Sequence, residues 1–254
     1  MTGRTVRVAA VGDIHLAPDT AGRYRPAFES LGGTADLLLL AGDLTRHGTV
    51  DEARTVAAEV AGLPVPVVAV LGNHDHHHGC PDDVVAVLQE EGGVTVLEGS
   101  AVTLAVDGRQ VGVAGTKGFG GGFAGRCGSE FGEDEMKAFV RYSRSLADGL
   151  RTALDELAAC DLRIALTHFS PVPDTLAGEP LEIYPFLGSY LLAEAIDEGG
   201  ADLAVHGHAH AGTERGMTAG GVHVRNVAQP VIRHAFALYE LHPADRAEDG
   251  RSAG

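Results

Sequence analysis

The chain has 254 residues, 44% of them hydrophobic and 21% charged, with a formal net charge of −16; that is room for one large α/β domain or two small ones with a sizeable core. The acidic balance argues against a broad electrostatic grip on nucleic acid, which needs clustered Lys and Arg, but it leaves room for a small anionic substrate where bound cations reverse the local sign. Cys80, Cys127 and Cys160 lie far apart and odd in number, no apolar stretch reaches the length of a membrane span, and 6–11 is too short for a signal-peptide core, so the expectation is a cytoplasmic protein in a reducing compartment with no membrane partner.

In chain order, the apolar run 6–11 is a first strand and leads into Gly12-Asp13-Ile14-His15. A helix at 25–31 precedes a second strand, 37–41, which ends on Gly42-Asp43. Thr49 opens a helix over 49–61, with Val50, Ala53, Val56, Ala57 and Val60 at helical spacing. A third apolar run, 65–71, leads into Gly72-Asn73-His74-Asp75, and Pro81 starts the helix 82–91. This alternation is the βαβ rhythm of a largely parallel sheet. The middle changes character: strands are expected at 94–97, 101–106 and 111–114, with Asp107-Gly108 as a hairpin turn, beginning a second sheet packed on the first.

Glycine dominates 115–132, and its core, 118–128, is expected to hold neither helix nor regular strand. The longest helical pattern, 133–159, places Met136, Phe139, Val140, Leu146, Leu150, Ala153, Leu154 and Leu157 on one stripe. A fourth apolar run, 162–166, ends at Thr167-His168; a Gly/Pro-rich stretch, 170–187, and a helix, 189–198, follow. A fifth run, 203–205, ends at His206-Gly207-His208-Ala209-His210, and strands at 222–227 and 235–241 close a single domain over 1–241. The tail, 242–254, is expected to be disordered.

Buried parallel strands read as continuous apolar runs, and open α/β sheets bind ligands beyond the carboxyl ends of their strands. Five such ends here carry Asp13, His15, Asp43, Asn73, His168, His208 and His210. These are oxygen and imidazole donors without thiolate, suited to two divalent transition-metal ions (Mn, Fe, Zn, Co or Ni), and too many for one. A pair of ions about 3.5–4 Å apart is a standard clamp for attack on phosphorus.

Together, Gly12-Asp13-x-His15, Gly42-Asp43, Gly72-Asn73-His74-Asp75, the separate His168 and Gly207-His208-x-His210 resemble the calcineurin-like metallophosphoesterases, in family order across nearly the whole chain. The resemblance implies an α/β four-layer sandwich of two mixed β-sheets flanked by helices, the metallo-dependent phosphatase fold. It implies that Asp13, His15, Asp43 and His210 hold one ion, that Asp43, Asn73, His168 and His208 hold the other, and that a metal-bridging hydroxide attacks the phosphoester. His74 is the candidate for assisting the leaving group, with Asp75 expected to orient it through a ring nitrogen. A small-molecule phosphodiester such as a cyclic nucleotide is the leading substrate. A phosphomonoesterase, a nuclease and a non-catalytic metal-stabilised scaffold are the alternatives, and the oligomeric state is left open.

Asn73, Lys117 and Arg126 are the candidate substrate contacts. The glycine loop that carries Lys117, Phe119, Phe123 and Arg126 reads either as a lid or as a plain connection. Tyr184 and Phe186 read as local packing or as a second wall. His206 is expected to be a buried, hydrogen-bonded imidazole, and 76–78 solvated loop histidines.

Overall fold

The computed structural model describes residues 5–242. Its elements in order are β1 (Val6–Val11), α1 (Arg25–Glu29), β2 (Leu37–Ala41), α2 (Val50–Val60), β3 (Val67–Val70), α3 (Pro81–Glu90), β4 (Thr95–Val96), β5 (Ser100–Val106), β6 (Arg109–Thr116), β7 (Gly122–Phe123), β8 (Arg126–Cys127), α4 (Asp134–Glu156), β9 (Leu162–Thr167), α5 (Tyr184–Leu187), α6 (Tyr190–Glu198), β10 (Leu203–His206), β11 (Arg215–Met217), β12 (His223–Asn226), α7 (Gln229–Ile232) and β13 (Ala237–Leu241).

Local chemistry sets several of these boundaries. The Thr49 side chain caps α2 by accepting from Glu52 N, and the Glu52 carboxylate reaches back to Thr49 N, a reciprocal capping box. Pro81 begins α3, where its missing N–H costs nothing. Asp107 (φ 48°) and Gly108 (φ 80°) make the tight turn between β5 and β6, as their dipeptide predicts.

Five strands form one sheet in the order β13-β1-β2-β3-β4, and six form the other in the order β11-β12-β10-β9-β6-β5. Within the first, β1, β2, β3 and β4 are parallel and β13 is antiparallel. Both faces of each central strand are buried, so alternate side chains enter different layers. Leu38 and Leu40 pack under α1–α3 with Phe28, Val56 and Leu88. Leu37 and Leu39 turn the other way, against Val113, Ile164 and Val205 of the second sheet. Beyond that sheet, Ala114, Ala165 and Ala204 meet Leu150, Leu154 and Ile196 of α4 and α6. The result is the expected helix–sheet–sheet–helix sandwich.

Several expectations are corrected. The glycine-rich core does hold strand: β7 and β8 pair as a two-residue ribbon. Gly122 N donates to Gly188 O and Gly121 N to Pro185 O, so the ribbon takes its order from the neighbouring 185–188 backbone. The stretch 170–187 contains the short helix α5, and β11 is an edge strand with no apolar pattern to announce it. On α4 Met136 is 40% exposed rather than part of the inward stripe. The expected disordered tail lies, from 243 onward, outside the described residues. Among the described residues no helix is long and apolar enough to cross a membrane.

Candidate metal centre

The carboxyl ends of β1, β2 and β3 in one sheet and of β9 and β10 in the other converge on one rim. Two groups of side chains form there: Asp13, His15, Asp43 and His210, and Asp43, His168 and His208, with the potential ligand atoms of each group within 4.8 Å of one another. Asp43 belongs to both. Asn73 joins the second group, its Oδ1 3.0 Å from His168 Nε2. The two sets implied by resemblance are therefore the two sets the fold assembles.

Backbone conformation marks the same positions. Among the described residues, six non-glycine residues have positive φ, and four of them are Asp13 (58°), His15 (43°), Asp43 (50°) and His208 (70°). Each left-handed residue costs about 1–3 kcal/mol and persists only where its surroundings demand it. Glycines supply the close approach. A Cβ at Gly72 would collide with the Asp43 carboxylate, and one at Gly207 with that of Asp13.

The donor chemistry fits cations. His168 Nδ1 lies 2.8 Å from Ala41 O, so Nδ1–H donates there and Nε2 faces Asp43 Oδ1 (3.3 Å) and Asn73 Oδ1. Without an ion, a proton on Nε2 bonds it to these oxygens; a divalent cation would take that proton's place, with the Nε2 lone pair and both oxygens as donors. His210 Nε2 stands 2.8 Å from Asp13 Oδ1 in the same way. His208 presents Nε2 to Phe186 O at 3.4 Å, which leaves Nδ1 for an ion. Burial pushes the Asp43 carboxyl up, but the charge and hydrogen bond of His168 and the His74 N–H outweigh it and hold it well below the usual carboxylate range. Burial pulls His168 down, and its partnership with Asp43 reverses the direction. Burial and the neighbouring His168 lower His208 to about 3, so it is neutral and ready to ligate.

His74 stands at the rim. Its Nδ1 lies 2.8 Å from Arg46 O, and its Nε2 is 3.9 Å from Asp43 Oδ2. The expectation that Asp75 orients this ring is corrected: the Arg46 carbonyl does so. The Asp75 carboxylate is buried and accepts from Leu44 N, Thr45 N, Thr45 Oγ1 and Gly72 N. It ties the loop after β2 to the loop after β3, because a carboxylate without water needs every donor it can reach. Asn226 plays a similar part, donating to Ala209 O and accepting from Ala228 N. As expected, His206 is buried, bonded to Gly207 O and Thr175 Oγ1.

The other candidates fare differently. Asn73 is exposed at the rim. Lys117 is only 5% exposed, with Nζ 5.0, 5.3 and 5.4 Å from the ring centres of Phe119, Tyr142 and Phe169. Aromatic faces replace the water that a substrate contact would need. Arg126 is exposed on β8 and does not line the pocket next to the metal ligands. That pocket includes Phe139 and Phe169, which sequence reasoning did not connect with the site. Phe169 directly follows the ligand His168, the one signal that pointed to it.

The sequence profile of the calcineurin-like phosphoesterases matches residues 6–212. No curated protein sequence matches the chain. Among solved structures, the fold is similar to phosphopantetheinyl hydrolase (PptH) from Mycobacterium tuberculosis, with a TM-score of 0.66 and 16% identity over 98% of this chain and 100% of that one. It is also similar to a putative 5'-nucleotidase from Staphylococcus aureus, with a TM-score of 0.58 and 17% identity over 88% and 48% of the two chains. Purple acid phosphatase PPD1 from yellow lupin seeds gives a TM-score of 0.51 and 14% identity over 94% and 48%. At these identities the likeness is one of fold. The profile match, which runs from β1 through the last histidine motif, makes this chain a member of the calcineurin-like phosphoesterase family.

Proposed function

We propose that the protein is a dinuclear-metal phosphodiesterase acting on a small molecule, with cyclic nucleotides the first substrate class to test. The observation that carries the reading is the setting of His74. With Nδ1 held by Arg46 O, Nε2 is left beside Asp43, on a ring 39% exposed. A diester expels an alkoxide, and a positioned imidazole that protonates or stabilises it contributes typically ~10²–10⁴-fold.

Two divalent transition-metal ions, one in each ligand group, would supply Lewis acidity, activating a water for attack and offsetting charge on the phosphoryl oxygens. Asp43 fixes the spacing of the two positions, because one carboxylate belongs to both groups. Asn73 would hold an ion through Oδ1 and keep its amide nitrogen to donate to a phosphoryl oxygen. Asp75 keeps Asp43 and His74 in register by joining their loops.

The test is steady-state hydrolysis of bis-para-nitrophenyl phosphate against para-nitrophenyl phosphate by manganese-loaded protein. The diester should be preferred in kcat/KM, and a strong monoester preference would overturn the choice. A metal-loaded protein that turns over neither would favour the scaffold.

A further inference from the structure

Beside the metal ligands lies a pocket of about 250 Å³ lined by Asn73, Phe119, Phe139, Phe169, Phe186 and His208, together with the Gly120 backbone. Its rings form a continuous file outward from the metal centre. The His208 and Phe169 centroids are 4.2 Å apart, Phe169 and Phe119 5.6 Å, Phe119 and Phe139 5.2 Å, and Phe139 and Phe186 6.5 Å. The first ring belongs to a metal-ligand candidate, and the last is 60% exposed. Asn73, at the mouth, belongs to the same ligand group.

We propose that this pocket binds a planar aromatic group, aryl or heteroaryl, carried by the phosphoester substrate. The inference rests on the phosphoesterase reading and adds the chemical class of the organic part. A phosphoryl group held at the metal centre must direct one of its substituents somewhere, and the apolar space beside His208 adjoins it. None of the lining side chains carries a fixed charge, so a second anionic group finds no partner there. An apolar cavity of about 150 Å³ is enough for a benzene ring, and this one is larger. Successive rings meet tilted or edge-on, leaving faces and edges for a flat guest in the geometry aromatic pairs prefer. Two of the walls are held from behind: the buried Lys117 ammonium stands over Phe119 and Phe169. A rigid wall loses little entropy when a ring docks.

Calorimetric titration of manganese-loaded protein with phenylphosphonate, cyclohexylphosphonate and methylphosphonate tests the pocket without turnover. Phenylphosphonate should bind at least ten-fold more tightly than the other two. Phe186→Ala, at an exposed ring that the fold does not need, should bring the ratio below three-fold, and Phe186→Trp should keep it. Cyclohexylphosphonate binding within two-fold of phenylphosphonate, no measurable binding of phenylphosphonate, or a ratio that survives both Phe186→Ala and Phe139→Ala would each overturn the proposal. Hydrolysis of para-nitrophenyl phenyl phosphate is measured separately. If the binding preference stands and no diester or monoester is hydrolysed, the hydrolase reading falls and the aromatic pocket remains; turnover without the preference sinks the pocket alone.

Discussion

The two ligand groups share Asp43 but live in different surroundings. In one, His15 and His210 are 24% and 44% exposed at the side chain. In the other, His168 is fully buried, and His208 packs against the rings of His168 and Phe169. Solvent reaches the first group through His15 and His210, whereas the second meets it through Asn73 at the rim and one edge of His208, with His168 sealed behind them. The contrast teaches that two ions seated there would not be equivalent even where their donor atoms are alike. An ion in the second group would be anchored by the buried His168, and one in the first would exchange more readily with solvent.

The broadest break in that contrast is Asp43→Ala, which removes the only carboxylate common to both positions. Both metal equivalents should be lost by elemental analysis, and activity should fall to background; retention of one tight equivalent would show that the buried position stands without it. His74→Ala comes next. It should lower kcat by roughly 10²–10⁴-fold while metal content stays at the wild-type value, and a parallel loss of metal would make His74 a ligand instead.

His210→Ala sharpens the comparison itself. Affinity for one ion should fall by at least about 10-fold with the other unchanged, and timed chelation of the unaltered protein should release one equivalent well before the second. Release of both in a single phase would erase the distinction. Asp75→Ala acts on the brace between the two loops and leaves four buried donors without an acceptor. It should cost on the order of 3 kcal/mol and roughly 6–12 °C in Tm by calorimetry. The smallest effect belongs to Arg126→Ala: kcat/KM within about two-fold of the parent, in keeping with an exposed guanidinium off the pocket wall. A larger loss would restore it as a substrate contact.

The architecture and the ligand groups were legible because each strand end announces itself twice, by an apolar run buried on both faces and by the polar residues that follow it. Leu37 to Ala41 before Gly42-Asp43 is an example. What remained hidden depends on partners distant in sequence. Asp75 sits next to His74, yet its acceptor duties are fixed by Leu44 and Thr45. Lys117 reads as a substrate contact until Tyr142 and Phe169 are seen to enclose it. The β7–β8 ribbon has two-residue strands whose pairing relies on the 185–188 backbone, and β11 owes its conformation to its neighbour β12. Periodicity reports a segment's own faces and is silent on edges and on long-range hydrogen bonds.

The rim draws Asp13, His15, Asp43 and Asn73 from one sheet and His168, His208 and His210 from the other. Any cation seated there is a rivet through the seam between the two halves of the sandwich. Catalytic competence and mechanical cohesion are then one property: prising the halves apart by a fraction of an ångström would loosen the ions, and stripping the ions would leave the seam to its apolar filling alone.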